Sequence, residues 1–467
     1  MTSLSDLLQS GGSALVLGVG RSGLAAAEVL RGRHLNVFAY DDKPSHQLAD
    51  ERRTLTQLGA ELIGPQELAH TAAAAKFAII SPGVPSTNPA VRRIADAGLP
   101  VFSEIELAFQ ISKAPIIAVT GTKGKSTTTA LIGHILRTAG KGVRVGGNIG
   151  NPLVRETAAA GADDWVVAEV SSFQLEGIRA FAPRVSVLLN ISPDHLDRYA
   201  SMKDYAEAKY RIFANQKPED TFVGNADDPY CAELDHHAGR RLHAKALWFG
   251  LDPNDARLSA TLASDHLALR INSKLEPLLP VAALRLRGTH NVQNALSAAL
   301  ASLSAGANLE ALREGLASFE PLPHRLTVVR QDRGITWIDD SKATNPDAAV
   351  KALEAFNEPI ILIAGGKSKK TDFAQFAKVV SQRAKVTILI GEAAAEIAAH
   401  LTGAEVRFAH TLADAVEMAR QAAVPGDVVL LSPACASFDM FANAEQRGEA
   451  FAELARSKGD RTGLAAS

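Results

Sequence analysis

The sequence predicts an α/β protein of three domains, and three observations carry that expectation. Short β-branched apolar runs alternate with alanine-rich stretches of helical length, the order that builds parallel sheets covered on both faces. The chain has 467 residues, enough at roughly 100–200 residues per domain for two to four separate cores. Two junctions, at residues 110–114 and at the paired prolines of 321–323, divide the alternation into blocks 1–112, 113–321 and 322–467.

Each element follows from its local pattern. Residues 14–17 read as a strand that ends in Gly18, 24–30 as a helix and 36–40 as the next strand. The beat returns with a strand at 116–119 and a helix over 127–138, and then with strands at 166–168, 185–189, 335–338, 360–363, 386–390 and 428–431. Two segments break it. Residues 257–287 read as strand and turn without a helix, so a small β-rich part is expected there, and 290–305 and 309–319 read as consecutive helices.

Composition narrows the class. The 49 basic and 51 acidic residues give a net charge of −2, which argues against a nucleic-acid partner or an anionic membrane surface. Cys231 and Cys435 are too few and too far apart for a disulfide framework or a structural zinc site. No basic region precedes an apolar core at the N-terminus, and no run of about 18 apolar residues occurs, so a cytoplasmic chain without membrane insertion is expected.

The strongest motif is Thr120-Gly121-Thr122-Lys123-Gly124-Lys125-Ser126-Thr127, set between a strand and a helix. Glycines let successive N–H groups turn inward on a phosphate, a lysine reaches the outer phosphates, and a hydroxyl holds Mg²⁺. The usual early glycine is replaced by Val119, so the loop is a variant. A glycine-rich turn with an incidental Lys-Ser is the bland alternative. Gly18-Val19-Gly20-Arg21-Ser22-Gly23, with Asp41 and Asp42 closing the next strand, fits a dinucleotide fingerprint. The same geometry also suits another nucleotide diphosphate, or serves only as a tight strand–helix turn.

Polar clusters follow other strands, at the carboxyl ends where such sheets bind ligands. Glu169 and His195 are candidates for the ions that accompany a nucleotide; a capping or solvated acid and an ordinary histidine are the alternatives. Lys209 lies on an apolar helix stripe with Tyr205, Ala206, Ile212 and Phe213, so it must snorkel, pair, shift its pKa or be modified. In the last third, His324-Arg325, the 339–346 loop, the 365–372 loop and the 432–439 loop offer lysines, hydroxyls and backbone N–H groups suited to a dicarboxylate or phosphates. Cys435 has no basic neighbour in sequence and reads as a small buried residue.

Taken together, these runs resemble the Mur ligases over nearly the whole chain, and within them the D-glutamate-adding branch. The resemblance rests on Gly121 to Thr127, on Glu169-Val170-Ser171-Ser172-Phe173-Gln174-Leu175, on 190–197, on Lys209, on His290-Asn291-Val292-Gln293-Asn294-Ala295, on 340–345 and on 432–437. It implies an N-terminal Rossmann-like UDP-binding domain, a central P-loop ATPase-type domain and a C-terminal Rossmann-like domain. The implied enzyme is a monomeric ATP-dependent amide ligase that adds D-glutamate to UDP-N-acetylmuramoyl-L-alanine through an acyl phosphate.

The resemblance also assigns residues. UDP-substrate contacts would be Gly20, Arg21, Ser22, Gly23, Asp41, Ser81, Asn148 and His195. ATP would be held by Gly121, Thr122, Lys123, Gly124, Lys125, Ser126 and Thr127, with Asn291, Arg325, Asp340 and Lys342. Two Mg²⁺ ions would take Ser126, Glu169, His195 and Lys209 as its carbamate, and Lys125, His195 and Lys209 would be catalytic. Thr344, Lys369 and Ser437 would bind glutamate. The chain departs from many relatives at Ala444, where they carry an aromatic residue, and at Lys43, where they often carry arginine. A GTPase-like switch lacks support, since no Asn-Lys pair occurs. A nicotinamide-binding sensor and a folylpolyglutamate-synthase-like ligase are the other readings.

Overall fold

A computed structural model describes residues 3–85, 87–194, 198–236, 242–368 and 372–457. The chain divides into two compact units, Met1–Leu284 with Val292–Phe319, and Arg285–Asn291 with Glu320–Ser467.

The first unit carries two sheets. One contains β1 (Ser13–Leu17), β2 (Asn36–Tyr40), β3 (Glu61–Leu62), β4 (Phe77–Ile80) and β5 (Val101–Ser103). Its order is β3-β2-β1-β4-β5, all parallel, which opens a crevice between β1 and β4 where the order reverses. The other contains β6 (Ile116–Thr120), β7 (Val143–Gly147), β8 (Trp165–Glu169), β9 (Val185–Leu188), β10 (Thr221–Asn225), β11 (Lys245–Phe249), β12 (Leu258–Ala263), β13 (His266–Ile271) and β14 (Lys274–Pro280). It is parallel from β7 to β12, and β12, β13 and β14 close it as an antiparallel meander, the expected β-rich part.

The second unit has β15 (Thr327–Asp332), β16 (Ile335–Asp339), β17 (Ile360–Gly365), β18 (Ala384–Ile390), β19 (Val406–Phe408) and β20 (Val428–Leu431), ordered β15-β16-β20-β17-β18-β19. Only β15 runs antiparallel. The central strands are apolar throughout because both faces are covered: Ile360 to Ala364 and Val428 to Leu431 are all buried.

Carboxylates stitch the first unit's sheets together. Glu106 on the helix Glu104–Ile111 accepts the N–H groups of Arg179 (2.8 Å) and Phe181 (3.0 Å), and Glu104 accepts that of Val154 (2.7 Å). Two boundaries differ from expectation. The helix expected at 127 begins at Lys125, and the one expected at 24 begins at Arg21. Both first turns are polar and so carry no hydrophobic period, while a glycine N-cap starts each helix early. Short strands such as β3 and β5, and the edge strand β15 with its bulge, escaped the sequence pattern for want of length or alternation.

Candidate active site

The N-terminal crevice is a cavity of about 500 Å³ lined by Gly18, Gly20, Arg21, Ser22, Tyr40, Asp41, Asp42, Lys43, Ser81, Asn88 and Asn148 among others, a size that suits a nucleotide-bearing ligand. Gly20 caps the helix Arg21–Gly32 without a side-chain bond, so backbone N–H groups of the first turn meet the cavity. Gly18 sits at φ +84°, and a Cβ on Gly23 would lie 1.8 Å from the Gly18 carbonyl. Gly23 therefore lets helix and loop cross and does not line the cavity. Ser81 lines it while donating to the Gly18 carbonyl (2.7 Å). Both Asp41 oxygens accept backbone N–H groups, from Val19 (2.9 Å) and Lys43 (3.0 Å), which fixes the glycine loop to the end of β2. Beside it Asp42 accepts from the Tyr40 hydroxyl (2.9 Å) and the Asn88 amide (2.6 Å). Tyr40 and Asn88 were not singled out from sequence; only the tertiary fold brings residue 88 to residue 42.

The phosphate loop follows β6, which lies between β9 and β8 in its sheet. Gly124 is the helix N-cap at φ +83°, and a Cβ there would come 2.3 Å from Asn294 Oδ1. Asn190, after β9, braces the loop. Its Oδ1 accepts the Lys123 N–H (2.8 Å), its Nδ2 donates to the Lys123 carbonyl (3.1 Å), and its carbonyl accepts the Thr122 N–H (2.9 Å). Thr122 Oγ1 also accepts the Ser192 N–H (3.0 Å). Asn190 opens the 190–197 run, but nothing in the sequence marks this role, because its target is the backbone of a distant loop.

Lys125 Nζ donates to the carbonyls of Gly121 (3.0 Å) and Thr122 (2.9 Å). Lys209 Nζ donates to the same Gly121 carbonyl (2.9 Å) and lies 4.6 Å from the centre of the Tyr205 ring. Lys209 is only 1% exposed, which removes the snorkelling reading. Burial, and then the Lys125 charge, push its pKa well below the ordinary lysine value, against the opposing pull of Asp194 and Glu169.

Glu169 ends β8, next to β6, and is buried. Its Oε1 accepts from Asn148 Nδ2 (2.8 Å), while Oε2 is buried with no hydrogen-bond partner. An orphaned carboxylate oxygen beside a phosphate loop fits a hard cation. Asn148 thus touches Glu169 and also lines the N-terminal cavity. Ser126 is the second residue of the loop helix, and Thr127 is buried behind it. His195 and Lys369 lie outside the described residues.

In the second unit, Asp340 follows β16 and is buried. Its carboxylate accepts from Ser432 Oγ (2.8 Å) and the Leu326 N–H (3.3 Å), and burial pushes its pKa up to about 7 despite Ser432 and Arg325. Lys342 pairs with Glu445. Thr344 lies in the same loop, and Ser437 is buried in the loop after β20. Asn291 Nδ2 donates to the Arg287 carbonyl (2.7 Å). His324, Leu326 and Ala434 adopt positive φ (+62°, +48°, +59°), strained conformations that concentrate at ligand loops. The largest residue missed from sequence is Arg447, whose guanidinium bonds the carbonyls of Ser341 (2.9 Å) and Cys435 (3.1 Å). Cys435, without a basic neighbour in sequence, therefore has one in space, although the thiol residue is buried as expected.

A phosphate loop at the end of an interior parallel strand, a buried acid beside it and a separate Rossmann-type cavity define a nucleotide-using enzyme with a second nucleotide-like ligand. Residues 119–302 match the profile of the Mur ligase middle domain, and residues 324–435 that of the Mur ligase glutamate ligase domain. The UDP-N-acetylmuramoylalanine–D-glutamate ligase of Pelotomaculum thermopropionicum is 44% identical over 454 residues, covering 94% of this chain and 96% of that protein. That of Koribacter versatilis is 41% identical, covering 95% and 96%. The chain belongs to the Mur ligase family. Solved structures agree in fold: UDP-N-acetylmuramate–alanine ligase from Thermotoga maritima has a TM-score of 0.62 at 24% identity over 94% of this chain and 98% of that one. The MurF ligase of the same organism, solved with ADP, gives 0.61 at 17% identity over 96% and 98%. The three-domain α/β expectation stands. No helix among the described residues is long and apolar enough to cross a membrane.

Proposed function

We propose that this chain is the ATP-dependent ligase that joins D-glutamate to UDP-N-acetylmuramoyl-L-alanine in peptidoglycan precursor synthesis, acting as a cytoplasmic monomer. The observation that carries this reading is the chain of contacts from cavity to phosphate loop: Asn148 lines the cavity and bonds Glu169, which flanks the loop where Lys125 and Lys209 meet at one carbonyl. Its specificity for D-glutamate draws on the named relatives. Residues 1–112 would hold the UDP substrate, 113–321 the ATP phosphates, and 322–467 the amino acid.

Gly20, Arg21, Ser22, Asp41 and Ser81 orient the UDP portion, and Asn148 and His195 the muramoyl-alanine end. Gly121 to Thr127 cradle the ATP phosphates. Lys125, released from the loop carbonyls, moves onto the transferring phosphoryl group and stabilises its charge. Asn291, Arg325, Asp340 and Lys342 contact base, ribose and phosphates. The alanyl carboxylate takes the γ-phosphoryl group, the amine of glutamate displaces phosphate from the acyl phosphate, and one proton leaves the amine. Thr344, Lys369 and Ser437 hold the carboxylates of the incoming glutamate. Two Mg²⁺ ions, one on Ser126 and Glu169 and one on His195 and carbamylated Lys209, would supply charge neutralisation to the phosphates. The depressed pKa of Lys209 supports the carbamate, because only a neutral amine attacks CO₂.

Phosphate release with ATP, UDP-N-acetylmuramoyl-L-alanine and a panel of amino acids tests the proposal. Turnover should require all three substrates and favour D-glutamate; equal release with a folate acceptor would replace it with the folylpolyglutamate reading.

A further inference from the structure

The first half of the phosphate loop is zipped to a neighbouring segment. β9 runs parallel to β6, with Leu188 opposite Thr120, and the pairing continues past the ends of both strands. The Leu189 N–H donates to the Thr120 carbonyl (3.0 Å), and the Thr122 N–H to the Asn190 carbonyl (2.9 Å). The Asn190 side chain then takes both backbone groups of the next residue: Oδ1 accepts the Lys123 N–H (2.8 Å), and Nδ2 donates to the Lys123 carbonyl (3.1 Å). One side-chain amide thus pairs with the loop as a strand's backbone would. Gly121 admits the approach, since a Cβ there would come 3.0 Å from Leu189 Cβ and 3.3 Å from the Asn190 nitrogen.

The partner segment is itself fixed. Asn225, the last residue of β10, donates from Nδ2 to the Leu189 carbonyl (2.8 Å), and Asp228 Oδ2 accepts the Ile191 N–H (3.0 Å). Residues 189–192 are therefore pinned from β10 and hold residues 121–123 from the other side. Each backbone N–H has one proton to give, so the amides of Thr122 and Lys123 are spent before any nucleotide arrives. Phosphate loops grip by turning successive N–H groups onto the anion; these two face the protein instead.

We propose that Asn190 is a positioning residue of the phosphate loop, which presets the shape of residues 121–123 and keeps the Lys123 amide, like that of Thr122, away from the phosphates. This rests on the reading of residues 121–127 as the ATP loop and narrows it: the backbone of Thr122 and Lys123 is scaffold. A loop ordered in advance draws less on the binding energy of ATP, and the gain is the same in ground and transition states. An amide suits the task because it accepts and donates at once, whereas a carboxylate only accepts and an ammonium only donates.

Amide exchange of the wild type, read by NMR with and without Mg·ADP, is the first arm of the test. The Thr122 and Lys123 amides should be protected without nucleotide and change by less than about threefold when it binds. Protection that rises more than about tenfold with nucleotide would make them phosphate contacts and overturn the inference. The second arm is Asn190→Leu, of similar size without the polar atoms. Its KM for ATP should rise roughly 10- to 100-fold, the range for two lost hydrogen bonds. Its kcat, and its KM for UDP-N-acetylmuramoyl-L-alanine, should stay within about threefold. A merely structural role would lower the active fraction and leave each KM alone, so an unchanged KM for ATP overturns the inference, as do equal losses for both substrates. If Asn190→Leu fails to fold, the wild-type exchange decides alone. Lys125→Met separates the two readings. Should it weaken ATP while Asn190→Leu does not, the inference fails and the ATP loop stands; an unchanged KM for ATP in Lys125→Met overturns both.

Discussion

Among the described residues each unit buries one cation to 1% exposure, Lys209 and Arg447, and the two fare differently. In the first unit, Lys209 shares the Gly121 carbonyl with Lys125, and burial with that neighbouring charge drives its pKa far down. In the second, Arg447 spreads its donors over four neutral oxygens and falls only to about 10. A compact ammonium depends on hydration, so burial beside a like charge favours the neutral amine; a delocalised guanidinium keeps its proton. The first region thus holds an amine biased towards its neutral form, and the second a guanidinium that keeps its charge.

The largest expected effect tests the amine. Lys209→Ala should cost on the order of 10²–10³ in kcat, as for one preorganised electrostatic contact. Added acetate or formate should restore part of it if a carbamate is the missing group, while Lys209→Arg should not help. Full activity in Lys209→Ala, measured by phosphate release, would erase the contrast between the two buried cations.

Next comes the backbone that carries the lysines. Gly124→Ala places a Cβ at φ +83° and 2.3 Å from Asn294 Oδ1, so the loop must shift. A shift of that size should lower kcat/KM for ATP by about 10²-fold with little change in binding of the UDP substrate, measured by calorimetry. Loss of both affinities together would mean that the loop and the N-terminal cavity are not separable.

A smaller effect concerns acid groups, of which each unit buries one with its pKa pushed up to about 7: Glu104, whose Oε2 has no partner, and Asp340. Burial is the main cause in both. Because the folded pKa lies above the ordinary carboxyl value, the folded state binds the extra proton between about pH 4 and 7. The stability tied to each group is therefore full below about pH 4 and is lost as pH climbs towards 7, by about 1.4 kcal/mol per pH unit. Melting curves of Glu104→Gln and Asp340→Asn should each be flatter over that window than the wild type. An unchanged slope in Glu104→Gln would show that the orphaned oxygen finds a partner in solution.

The smallest effect is expected at Ala434, which holds φ +59° with a Cβ in place. Ala434→Gly removes the left-handed penalty of about 1–2 kcal/mol but adds chain entropy, so stability should move by under about 1 kcal/mol. Placed beside Gly124→Ala, it separates a loop that backbone freedom builds from one that side chains build.

That separation explains what could be read from the chain. The phosphate loop was legible because glycine, lysine and serine stand within seven residues, between a β-branched run and a helix. The meander of 257–287 and the paired helices were legible because the alternation stops there. Asn190, Asn88, Tyr40 and Arg447 were not. Each works on partners 2 to 106 residues away, and an arginine in an amphipathic helix reads as solvated until the sheet order places it under two loops. Asp41 was legible as a cavity residue, but its capture of two backbone N–H groups was not.

By itself the sequence determined the α/β class, the strand–loop–helix chemistry at Gly121 to Thr127 and the family, because those depend on local period, on glycine conformations and on residue types at short spacing. Tertiary structure decided the rest: that Lys209 is dry and shares a carbonyl with Lys125, that Glu169 keeps an unpartnered oxygen, and that Arg447 stays charged between the loops after β16 and β20. Burial and nearby charge, Lys125 beside Lys209 and Asp439 and Asp339 near Arg447, set those protonation states, and both are properties of packing between segments far apart in the chain.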